Sequence, residues 1–80
     1  MSEFIATFHT HLSAMLSFQA LQNTGFTAKM QPVPRALSSS CGTCVRFSAA
    51  TDCRALLDTD AEALYAVEDG GYRLLWQNED

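Results

Sequence analysis

The sequence predicts a single α+β domain over residues 1–80, a split βαβ sandwich in which a mostly antiparallel sheet carries helices on one face. The expected element order is βαββαβ with an extra C-terminal strand. Three observations carry this. Eighty residues hold one small core, and the 48 % hydrophobic and 18 % charged composition is that of a packed globule. Short runs of aromatic and β-branched residues recur with a period of two. Two segments between them open with helix-capping residues.

Phe4-Ile5-Ala6-Thr7-Phe8 puts Phe4, Ala6 and Phe8 on one face, and the apolar Ile5 on the other marks a central strand covered partly on both sides. Thr10 follows as an N-cap, flanked by His9 and His11. The helix expected from His11 to about Asn23 has no proline or glycine and stops at Gly25. Ala14, Met15, Phe18 and Leu21 form its inward face. Leu12, Leu16 and Ala20 broaden the apolar stripe beyond a single face, which points to generous cover or to a homodimer.

Phe26 to Gln31 alternates strictly, with Phe26, Ala28 and Met30 inward. It leads into a proline loop and then a strand over residues 43–48. A second helix is expected from Thr51, as cap, to Asp58, with Cys53 in its first turn. Residues 61–67 read either as a continuation of that helix, which propensity favours, or as a strand. Asp69-Gly70-Gly71 favours the strand, because it supplies the positive φ of a tight hairpin leading into Tyr72 to Gln77.

The chemistry is concentrated in residues 32–47. Two prolines stiffen the entry, three serines follow, and Gly42 leaves the backbone beside Cys41 free to turn. If residues 44–47 are extended, Cys44 and Arg46 share one face while Val45 and Phe47 anchor the other. Arg35 can approach Cys41 from the opposite limb, and a nearby cation favours the reactive thiolate. The competing reading makes Cys41 a small buried apolar side chain with both arginines solvated or paired elsewhere.

Val33-Pro34-Arg35, Ser39-Ser40-Cys41-Gly42 and Arg46-Phe47 together resemble the signature of a family of small bacterial proteins known as selenium/sulfur carrier-like. The resemblance spans nearly the whole chain. It implies a ferredoxin-like sandwich in which Cys41 carries sulfur or selenium as a persulfide or selenide. On that basis Arg35 and Arg46 stabilise the anion, Ser39 and Ser40 donate hydrogen bonds, Gly42 keeps space open, and Cys44 can release the cargo. The covalently held element takes the place of a cofactor. The implied partners are a donor such as a cysteine desulfurase and an acceptor protein.

Other classes remain beside the carrier. Cys41-Gly42-Thr43-Cys44 has C-x-x-C spacing, as in thiol-disulfide redox proteins or half a zinc site, but a bridge demands a turn at residues 42–43 and no helix follows. Zinc would need Cys53, His9 and His11 as well. A small anion-binding or interaction module with incidental cysteines is the other alternative. A carrier asks less than an enzyme does: one accessible sulfur, a cation and a docking surface. The net charge of −4 divides into +2 over residues 1–50 and −6 over residues 51–80, which does not supply the clustered cations of a nucleic-acid binder. No apolar run is long enough to span a bilayer. Three cysteines and the lack of an export-type N-terminal run point to a reducing cytoplasm.

Overall fold

A computed structural model describes residues 1–78. The chain is α+β, with one α-helix and a five-stranded antiparallel sheet: β1 Ser2–Phe8, α1 His11–Thr24, β2 Thr27–Pro32, β3 Thr43–Ala49, β4 Ala61–Glu68 and β5 Gly71–Gln77. The strands lie in the order β2-β3-β1-β4-β5, so the first strand of the chain is the middle of the sheet. Its central place explains its composition. Phe4, Ala6 and Phe8 face α1 beside Val45, Phe47, Ala49, Leu64 and Ala66, and Phe4 stacks on Phe47 at 5.4 Å between ring centroids. Ile5 and Thr7 project to the other face, which neither helical segment covers, yet both are fully buried among their cross-strand neighbours.

Both ends of α1 follow local chemistry. The Thr10 hydroxyl accepts from the Ser13 amide at 3.1 Å, and Gly25 at φ 102° lets its own amide and that of Phe26 reach back to Gln22 and Leu21. The inward face differs from the expected one. Ser13, Ala14, Ser17 and Leu21 are buried and Phe18 packs against the core, while Met15 is 37 %, Leu16 45 % and Leu12 62 % exposed. Small side chains let α1 lie close to the sheet, and this turns the long apolar ones outward.

The expected second helix does not form. Residues 51–60 contain only a 3₁₀ turn at Arg54–Leu56, entered through Cys53 at φ 52°. Seven or eight residues cannot easily repay helix nucleation, and the aspartates here bind backbone amides in turns instead: Arg54 N–H donates to Asp52 and Asp60 N–H to Asp58. Asp58 also clips the segment to α1. The Ser13 hydroxyl donates to its carboxylate at 2.8 Å, and its own amide donates to Ser17 Oγ at 2.8 Å. Leu56, Leu57 and Cys53 then cover the part of the core that a helix would have covered. The hairpin reading of residues 61–77 holds, with Glu68 opposite Gly71 and Gly70 at φ 82°. Asn78 closes it by donating its amide to Glu62 O at 2.8 Å.

Candidate functional site

The proline loop rises at the end of the sheet where β1 finishes and β4 begins. Val33 N–H donates to Gly42 O at 3.1 Å, extending the β2–β3 ladder past both strands, and a tight turn closes from Leu37 N–H to Pro34 O at 3.0 Å. Arg35 is exposed at the tip of that turn. Gly42 adopts φ 75°, and a Cβ there would meet nothing within 4 Å, so the glycine answers a backbone need and the space beside it is open.

Ser39 and Ser40 anchor the loop. The Ser39 hydroxyl donates to Phe8 O at 2.8 Å. Ser40 forks onto one carboxylate, its amide to Glu62 Oε1 at 3.0 Å and its hydroxyl to Glu62 Oε2 at 2.7 Å. His9 Nδ1 lies 3.3 Å from the same Oε2. Glu62 reaches this position because it is the extra residue of a β-bulge: Thr7 pairs with Ala63 but Phe8 with Ala61, leaving Glu62 outside the alternation. Burial raises its pKa, but the Ser40 amide and hydroxyl and the nearby His9 outweigh this and hold the carboxyl below its usual value.

Cys41 is half-buried. Its side chain packs against the helix-covered core, with Sγ 3.3 Å from Thr43 O and 3.8 Å from Ser39 Oγ. Thr43 O can only accept, and the Ser39 proton goes to Phe8 O. Thr43 O is thus an acceptor for the Cys41 S–H. Cys44 is two positions from Val33's ladder partner and wholly buried on the opposite face of the sheet, where it stands between Gln31 and Thr7 with Sγ 3.7 Å from Pro32 O. Burial pushes its thiol up, against opposing contributions from Gln31 and Arg46. The two thiols of the C-x-x-C thus have different surroundings.

The expected cations are placed differently from one another. Arg46 does share a face with Cys44, but its guanidinium forks onto Glu3 at 3.1 and 2.8 Å, and that hydrogen bond and charge hold the Glu3 carboxyl below its usual value. The pairing corrects the expectation that Arg46 flanks Cys41. Its long side chain crosses to the neighbouring strand's acid on the open sheet face. Beside Glu3 and Arg46, Lys29 and Gln31 line an open depression of about 370 Å³ that does not include Cys41. Among the described residues no cation pairs with Cys41, and no group of three His, Cys, Asp or Glu is placed to hold a metal. Cys53 lies apart, beside Thr51 on the 3₁₀ segment. No helix among the described residues is long and apolar enough to cross a membrane.

Glu62 and His9 are the members of this cluster that the sequence reading did not select for it. The usable signal was faint: one acid set between Ala61 and Ala63 in a strand otherwise built for packing.

Comparison with known proteins places most of the chain in one family. The model of the family described as "Putative Se/S carrier protein-like" matches residues 3–68. The chain is 27 % identical over 77 residues to "Uncharacterized protein YtiA" of Escherichia coli (strain K12), covering 94 % of this chain and 91 % of that one. No solved structure matches the chain.

Proposed function

Because the chain belongs to the family described as "Putative Se/S carrier protein-like", we propose that it carries sulfur or selenium on Cys41. The observation that carries this reading is a partly exposed thiol at the end of the sheet, in a loop pinned by two serines and opened by Gly42. Loading is a thiol–persulfide exchange. The Cys41 thiolate attacks the outer sulfur of a donor persulfide, the donor's S–S bond breaks, and the donor leaves as a thiolate while Cys41 becomes the persulfide. An acceptor thiolate repeats the step in the other direction. The carrier is not consumed and needs no cofactor beyond the atom it holds.

The supporting roles belong to the same proposal. Arg35, exposed on the same loop, is the cation within the motif that Glu3 does not engage, and it is assigned to the persulfide anion. Ser39 and Ser40 hold the loop, and Ser39 can turn its hydroxyl towards sulfur. Cys44 fits resolution of the persulfide poorly, being buried on the other face. Donor and acceptor are proteins, the first of the cysteine desulfurase kind, and a cytoplasmic setting keeps the thiols reduced. The strand order, with β3 between the like-directed β1 and β2, supports the ferredoxin-like reading with one helix fewer than expected. Incubation with a cysteine desulfurase and cysteine, followed by mass spectrometry, tests the carrier. A one-sulfur increment on Cys41, absent from Cys41→Ser, is expected; normal loading of Cys41→Ser overturns it.

One observation favours a second reading, a small binding module. Both oxygens beside Cys41 Sγ are placed to accept a proton, which suits a resting thiol. Slow alkylation of Cys41 in the native chain, no faster than that of a free cysteine, supports that module.

A further inference from the structure

We propose that Glu62 is a positioning residue for Cys41, acting through Ser40. The carboxylate takes both donors of that serine and the His9 ring at once, and it does so from a bulge that frees it from the packing of β4. Its side chain is only 21 % exposed, and charge-assisted bonds in such a setting are stronger than neutral ones. Ser40 immediately precedes Cys41, and Ser39 on its other side is tied to Phe8 O, so the chain entering the cysteine is held at two points on two different strands, β1 and β4. The Cα of Cys41 is thereby fixed over the end of the sheet, with Gly42 supplying the turn that follows. His9 shares Oε2 with the Ser40 hydroxyl and sets where that oxygen sits. This inference deepens the carrier reading and rests on it only for its purpose, since the restraint itself is independent of any cargo.

The test uses the full chain with Glu62→Ala, Glu62→Gln and Ser40→Ala. Hydrogen exchange at the Ser40 amide and alkylation of Cys41 by iodoacetamide, followed by peptide mass spectrometry, are read without any donor. In Glu62→Ala the Ser40 amide exchanges about tenfold faster or more, and Cys41 alkylation rises about threefold as the sulfur leaves its half-buried seat. Glu62→Gln keeps one carbonyl acceptor for the amide and lies between wild type and Ala. Exchange and alkylation both within about twofold of wild type in Glu62→Ala overturn the proposal. So does a Gln variant no better than Ala, because that marks a general structural role. If Glu62→Ala does not fold, Ser40→Ala decides: faster Cys41 alkylation supports the latch, and an unchanged rate overturns it. With a desulfurase as donor, the variants lower the maximal loading rate at unchanged half-saturating donor. Failure of wild type to load counts against the carrier reading alone and leaves the exchange and alkylation results standing.

Discussion

Replacing Asp58 with alanine removes the acceptor of the Ser13 hydroxyl, which lies 2.8 Å away on a residue only 2 % exposed, and leaves that hydroxyl buried with no partner from the carboxylate. It also removes an acid bonded to the first turn of α1, which has none of its own, and frees the Asp60 amide. A hydrogen bond to a charged group and an orphaned hydroxyl together are worth about 2–3 kcal/mol. A core this small holds roughly 3–5 kcal/mol in all, so the variant should lose on the order of half of its stability or more. At about 4–8 °C per kcal/mol, the midpoint falls by on the order of 10–20 °C. Urea unfolding followed by Trp76 fluorescence reads the loss near its source, because Arg54 of the same segment lies over that ring at 5.8 Å. The companion variant Ser13→Ala removes the donor and leaves a partly exposed carboxylate that water can serve, so it should cost about 1 kcal/mol or less. If Ser13→Ala costs as much as Asp58→Ala, or if Asp58→Ala stays within about 0.5 kcal/mol of wild type, the clip is not what holds residues 51–60 in place.

Other variants probe the remaining links. Phe47→Ala empties the site where Phe47 stacks on Phe4 in the core, at a cost of about 3–5 kcal/mol, and should leave the chain largely unfolded by circular dichroism at 25 °C. Gly42→Ala meets no neighbour but must adopt φ 75°, so it should lose about 1 kcal/mol in urea melts while Cys41 remains open to alkylation. Because the Glu62 carboxyl titrates lower folded than unfolded, its contribution is fully present above the unfolded carboxylate range. It disappears as pH falls through the folded value, so stability measured across this acidic range should decline less steeply in Glu62→Gln. Cys44, buried and with its thiol pushed up, should react with iodoacetamide only on unfolding, whereas Cys41 reacts in the native protein.

Where a strand writes its burial into a period of two, as β2 and β3 do, it was legible in the sequence. Phe26 to Gln31 and the Asp69-Gly70 hairpin needed no tertiary information. The second helix misled because Thr51 and Asp52 look like a cap and an N-terminal acid, whereas what decides the segment is the long-range bond from Ser13 and Ser17 to Asp58. The inward face of α1 misled for a related reason. Serine reads as a surface residue until a partner across the fold is known, so Met15 seemed the better core residue. In the loop, the bend at Gly42 and the shared face of Cys44 and Arg46 were legible from spacing. The ion pair with Glu3 was not, because cross-strand register is fixed by the whole sheet. Glu62 was hidden by its bulge, since a pattern reader assigns each strand residue to one face or the other.

That spare residue in β4 gives the domain one position assigned to neither layer. Most side chains around it are constrained by volume, and a change of size there is felt throughout the interior. At Glu62 the constraint is only on charge and reach, so the corner holding the cysteine loop can be retuned by one substitution while the residues that make the chain fold stay as they are.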